Sequence, residues 1–275
     1  MGETGATRRR PSGLGFGRWA GAAGAALLAW AGVGAGTARG APPPAIERGP
    51  AEVRAVAFAC NVVWGTPYVL PIARAFRQAG GRLTFFLGGR WAASHPSEAR
   101  ALAAMGMEIA SHGDAHRHVG RLSLVDNLTE IDRANAAIEA ATGVRPRLYA
   151  PAYGEVSGAV LEAAALRSMP VVLWSVDTVD WRPSHTPEII RRRVLARLSP
   201  GAIVLIHPTD RTLAALPALL QEIRARGYAL TTVSDLMAGA REGTARRGAK
   251  GTGKRSGPAP APSLPPGRAR RMAGS

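Results

Sequence analysis

Hydrophobic and polar positions along the chain fall into a long central stretch of alternating periodicities and two ends that carry neither period. Between residues 54 and 239, short runs rich in β-branched and aromatic side chains predict strands at Ala55–Cys60, Leu83–Leu87, Met107–Ala110, Leu148–Ala150, Val171–Ser175, Ala202–Ile206 and Leu230–Val233. Segments of helical period, such as Pro71–Gln78, Ser123–Thr142 and Leu213–Arg226, lie between them. Alternating strands and helices are the pattern of an α/β fold with a parallel sheet, and about seven strands suit a distorted (β/α) barrel. In such folds the residues just past the strand C-termini gather at one face. Asn61, Ser111 to His116, Ala150 to Gly154, Asp177 to Trp181 and His207 all follow predicted strands and are therefore the first candidates for chemistry.

The ends read differently. Arg8, Arg9 and Arg10 precede an almost uncharged stretch from Trp19 to Gly36, the layout of an export signal. Cleavage before Ala41 would release the domain; retention would leave a membrane anchor, because the apolar stretch approaches the roughly 20 residues that span a bilayer. Residues 1–40 are thus expected to be a signal or anchor, the Pro-rich 41–53 a linker, and 54–239 the folded domain. Residues 240–275 contain mostly Arg, Lys, Gly, Pro and Ala, too few large apolar side chains to offset the entropy of ordering, and are expected to be a disordered basic tail.

Charge sharpens this division. The formal net charge is +16, of which residues 1–40 carry +4 and residues 241–275 carry +8, so the central domain is nearly balanced. A basic excess confined to tails acts as a sequence-independent tether for anionic wall polymer or a membrane surface. No nucleic-acid-binding motif accompanies it, and no specific nucleic acid is expected as a partner. The single cysteine, Cys60, sits in an apolar run and is expected in the core; it excludes a disulfide or a multi-cysteine zinc site within these residues.

Ser111-His112-Gly113-Asp114-Ala115-His116 is the sharpest chemical element. Two histidines four apart share one face if the segment is helical, as a divalent metal requires, whereas Asp114 then points away from them. Taken alone the spacing leaves a metal site and ordinary surface histidines both open. Asp177 and Asp180 are open to reading as caps of the next segment, His207 as a core histidine, and Trp64, Trp174 and Trp181 as core or groove. Glu108 is expected to be a partly buried polar group, and His95, His118 and His185 are expected at the surface.

The ordered series Thr84-Phe85-Phe86, Gly106-Met107-Glu108-Ile109, Ser111 to His116, Gly143-Val144-Arg145-Pro146, Pro151-Ala152-Tyr153-Gly154, Trp174-Ser175-Val176-Asp177, Asp180-Trp181 and Leu205-Ile206-His207 resembles the NodB-type polysaccharide deacetylases, carbohydrate esterase family 4, over about 54–236. The resemblance implies removal of acetyl groups from N-acetylated sugars of peptidoglycan or chitin-like polymers, with a divalent metal, zinc first, held by two His and one Asp. It assigns the metal to His112 and His116, general-acid work to His207, and the orienting acidic motif to Asp177 and Asp180. Tyr153 matches the oxyanion-holding position, Trp181 the groove lining, and Pro151 the substrate-binding turn.

Two departures cut across these assignments. Where the family has Thr-Phe-Asp-Asp-Gly, this chain reads Ala59-Cys60-Asn61-Val62-Val63, so Asn61 replaces the base and Val62 the metal aspartate. The family's Arg-Pro-Pro-Tyr-Gly becomes Ala150-Pro151-Ala152-Tyr153-Gly154, which removes the arginine that partners the base. An amide has no basic lone pair and a valine cannot ligate, leaving fewer than the three protein ligands usual for catalytic zinc. Asn61-Val62-Val63-Trp64-Gly65 is similar to a sporulation-associated subgroup of the family. The expectations are therefore a cell-wall deacetylase with an altered base, a glycan-binding protein without turnover, or a charge-tethered assembly factor.

Overall fold

The computed structural model describes residues 40–239. The expected export segment and basic tail lie outside these residues.

Strand β1 (Ala55–Val62) is buried along its whole length, and its two faces differ. Val56, Phe58, Cys60 and Val62 pack among Val69, Ile72 and Phe76 of helix α1 (Val69–Gln78) and Leu216, Leu219 and Ile223 of helix α7 (Asp210–Ala225). Phe58 meets Phe76 edge-on with ring centroids 5.0 Å apart, and burying a ring of this size contributes about 2–3 kcal/mol. The alternate residues Ala55, Ala57 and Ala59 face Phe86, Ala110, Ala150 and Ile203 inside the barrel, where small side chains suit the narrow interior. Cys60 is buried on the helix side, as its apolar run predicts.

The remaining elements are α-helices α2 (Gly89–Ser94), α3 (Pro96–Ala104), α4 (Leu124–Thr142), α5 (Gly158–Leu166) and α6 (Pro187–Arg197), with strands β2 (Thr84–Leu87), β3 (Glu108–Ser111), β4 (Val176–Asp177), β5 (Ile203–Ile206) and β6 (Ala229–Thr231). Ser123 accepts the amide of Asp126 at the start of α4, and Gly143 ends that helix in the left-handed region. The strands pair in parallel in the order β3-β2-β1-β5-β4, with β6 against the first half of β1.

Two of the seven expected strands shrink to single bridges. Leu148–Ala150 contributes only Tyr149, which pairs with Ser111 on one side and Val171 on the other. Val171–Ser175 makes isolated contacts, and its ladder begins only at Val176. These bridges still join the two sheet edges: Ala150 donates to Ser111 O at 2.9 Å and Val172 donates to Tyr149 O at 2.8 Å, so hydrogen bonds run around the distorted barrel from β3 to β4. Part of the expected linker is docked rather than free, since Ile46 donates to Val171 O and Gly49 to Gly201 O. Glu108, at the opening of β3, takes hydrogen bonds from Thr84 Oγ1 at 2.5 Å and the Ser234 amide at 3.2 Å, the partly buried polar role expected of it.

Candidate functional site

Strand ends from β1, β3, β4 and β5 converge on one cleft of about 470 Å³, lined by Asn61, Trp64, His112, His116, Tyr153, Gly154, Trp174, Asp177, Trp181, Leu205 and His207. All the predicted site residues except Pro151 and Asp180 line it directly. Pro151 is buried behind the rim, where its carbonyl accepts the Gly154 amide and fixes the turn that carries Tyr153. That turn bends through Tyr153 at φ 58° and Gly154 at φ 67°. A Cβ on Gly154 would approach the Trp174 ring to 2.7 Å, so glycine is required for this close packing.

Alternation along β1 decides what its last residues contribute. Asn61 continues the inner face and reaches the cleft, only 4% exposed and with Oδ1 lacking a hydrogen-bond partner among the described residues. Val62 turns to the other face and is sealed in the core between sheet and helices.

His112 and His116 are not on a helix. They belong to the irregular loop after β3, which Gly113 at φ 78° and His116 at φ 51° fold back on itself, bringing the ring centroids to 5.2 Å. The buried carboxylate of Glu130 on α4 holds this loop by accepting the amides of Asp114 at 3.1 Å and Ala115 at 3.0 Å. Asp114 turns away toward Arg90, at 3.5 Å, and is no substitute ligand. His112 Nδ1 lies 2.7 Å from Ala150 O. A carbonyl only accepts, so Nδ1 carries the proton and Nε2 keeps its lone pair. Burial pushes the His112 pKa down to about 3, with the Ala150 carbonyl opposing and the nearby His116 and His207 adding to the fall. His116 is lowered as well, by burial first and then by His207 and His118.

Asp180, not Asp177, orients His207. The Asp180 carboxylate is fully buried and accepts from His207 Nδ1 at 2.7 Å, the His207 amide at 2.6 Å and Thr212 Oγ1 at 2.6 Å. Trp64 stacks over the His207 ring, with centroids 5.5 Å apart and planes 16° from parallel, so it belongs to the groove rather than the core. Asp177 lines the cleft and caps its own turn through the Val179 amide at 2.8 Å. Val179 stands at φ 54°, costly for a β-branched residue, and this bend returns the chain so that Asp180 reaches His207.

A catalytic metal does not fit these residues. Among the described residues no group of three His, Cys, Asp or Glu comes together to hold one, and the position of the third ligand is an apolar side chain turned into the core. What remains is a hydrogen-bonded Asp180–His207 pair able to hold a proton at Nε2, two neutral imidazoles, an amide where a base would stand, and four aromatic rings.

Three contributors were not identified from the sequence. Glu130 occupies a core-facing position of α4 beside Asn127, Ile131 and Ala134, and a carboxylate at such a position is the available signal. His118, expected at the surface, is half-exposed but stacks on Tyr153 with centroids 4.2 Å apart and meets Glu155 at 2.8 Å. His116 packs against the same tyrosine at 4.4 Å. Thr212, on the first turn of α7, is recognisable only through the contact it makes.

The family model described as Polysaccharide deacetylase matches residues 50–172. The chain is 36% identical over 195 residues to Uncharacterized protein YlxY of Bacillus subtilis (strain 168), covering 71% of this chain and 61% of that one. It is 31% identical over 166 residues to Peptidoglycan-N-acetylmuramic acid deacetylase PdaC of the same organism, covering 60% and 35%. The chain thus spans less than two thirds of the length of either relative. A solved CE4 family pseudoenzyme from Bacillus anthracis is similar with a TM-score of 0.69 and 31% identity, covering 71% of this chain and 69% of that one. A mutant of it is described as having restored enzymatic activity. With the barrel, the two histidines and the Asp180–His207 pair in place, the chain belongs to the polysaccharide deacetylase family.

Proposed function

We propose that the chain holds amino-sugar glycan of the cell wall in this cleft without hydrolysing it. The observation that carries the reading is the end of β1: an amide replaces the base at Asn61, and the third ligand position is a core valine. Amide hydrolysis needs an activated water and a group to take its proton, and loss of a general base alone costs on the order of 10²–10⁴ in rate. The exposed rings of Trp64, Tyr153 and Trp181 offer stacking faces to a sugar chain. The names of PdaC, a peptidoglycan deacetylase, and of the Bacillus anthracis pseudoenzyme support both halves of the reading, the polymer and the missing turnover.

Export, with the basic ends tethering the domain to anionic wall polymer or membrane, completes the proposal; the likeness of residues 61–65 to a sporulation-associated subgroup adds assembly of the spore wall as the stage of use. The test pairs two measurements on the full chain with zinc supplied: acetate release from N-acetylated peptidoglycan, and co-sedimentation with it. Binding without acetate is expected. Steady acetate release, or no sedimentation, overturns the reading.

A further inference from the structure

The lining of the cleft joins aromatic rings to negative charge. Four aromatic side chains, Trp64, Tyr153, Trp174 and Trp181, surround it, and no Lys or Arg is among the lining residues. Asp177 is the one lining carboxylate among the described residues. Among the described residues Asn61 Oδ1 is buried and unpartnered, and the hydrogen bond at Nδ1 of His112 leaves its Nε2 with a lone pair. Aromatic faces around a carboxylate form the arrangement that recognises an organic cation, because the ring quadrupole and the negative charge act on the same ligand group. The guanidinium of Arg182 rests 5.0 Å from the Trp181 ring centroid, and Arg193 donates to the main-chain carbonyl of Asp177 at 3.2 Å; neither lines the cleft.

We infer that the cleft selects amino sugars whose nitrogen is free, as an ammonium, over their N-acetylated forms; this rests on the glycan reading above and names the state of the glycan that is bound. An acetamido group is uncharged and gains nothing from the Asp177 carboxylate or from the ring quadrupoles that a cation would meet there. An ammonium brings three donors and a positive charge, which match Asn61 Oδ1, the His112 lone pair and Asp177. The chain would then read the product of N-deacetylation rather than make it, and an enzyme that hydrolyses acetamido groups on the same polymer must act first.

The test is calorimetric titration of the full chain, cleared of metal with a chelator and held just below neutral pH, with a glucosamine oligomer and its fully N-acetylated counterpart of equal length. The expected result is affinity at least about tenfold higher for the free amine. Asp177→Asn keeps an oxygen for the Val179 amide while removing the charge, and should bring the two affinities to within about threefold. Should that variant not fold, as judged by its thermal midpoint, added salt serves instead: it should weaken binding of the free-amine oligomer by the wild type and leave the acetylated one unchanged. Equal or tighter binding of the acetylated oligomer, or a preference that survives both the Asp177 change and salt, overturns the inference while leaving the glycan reading intact. Failure of both oligomers to bind removes both readings.

Discussion

Asp180 grips His207 at two points, accepting from the ring Nδ1 at 2.7 Å with one carboxylate oxygen and from the backbone amide at 2.6 Å with the other. The second oxygen also takes the Thr212 hydroxyl, so every contact is to a donor. Asp180→Asn replaces one acceptor by an NH₂ group that must face one of those donors inside a site with no exposure. The expected loss is about 2–4 kcal/mol of unfolding free energy, measured by urea denaturation. A variant as stable as wild type would show that the carboxylate is not what fixes the imidazole.

The neighbouring positions 61 and 62 should respond in opposite ways to aspartate. Asn61→Asp puts a carboxylate at a buried position that still borders the cleft and should cost less than Val62→Asp, which puts one wholly among apolar side chains and should cost about 3 kcal/mol or more. Differential scanning fluorimetry of both single variants and the pair separates them. Zinc should leave the midpoint of the wild type and of Val62→Asp unmoved, because position 62 faces away from the cleft that holds His112 and His116. Equal costs for the two single changes would contradict the opposed facing of these residues.

The same opposed facing explains how far the sequence could be read. Strand periods and the Asn61 and Val62 replacements were visible because they depend on residue type and order alone. The loop carrying His112 and His116 was not, since a four-residue interval fits a helix equally well until Gly113 and His116 are found at positive φ. Tyr149 was hidden for a related reason: it closes the barrel through one bridge on each side, too short a contact to leave a strand pattern. Pairings between distant elements, such as Glu130 with the 114–115 amides or Thr212 with Asp180, leave no local trace beyond a polar residue at a core-facing position.

Glu130 offers a test of what keeps the two histidines together. Glu130→Gln retains the shape but weakens two hydrogen bonds to backbone amides, each charge-assisted in the native protein. The expected cost is about 1–3 kcal/mol, with the Asp114 and Ala115 amides exchanging at least about tenfold faster in native-state hydrogen exchange. Protection unchanged at those two amides would assign the loop's rigidity to its glycine and rim contacts instead.

Acid should weaken the domain through its buried imidazoles before carboxylate protonation dominates. In the unfolded chain a histidine takes up its proton near pH 6.5, whereas in the fold burial holds His112 down to about 3. The unfolded state therefore binds more protons across that window, and stability falls as pH drops from about 6.5 toward 3, by about 1.4 kcal/mol per pH unit for one such group. His116, lowered by the same cause, adds to the slope. Unfolding free energy measured by urea at several pH values should decline accordingly, and His112→Gln, which is less stable near neutrality because it disturbs the contact to Ala150 O, should show a shallower decline. An identical slope in the variant would mean that the imidazole is charged, or reached by water, inside the fold.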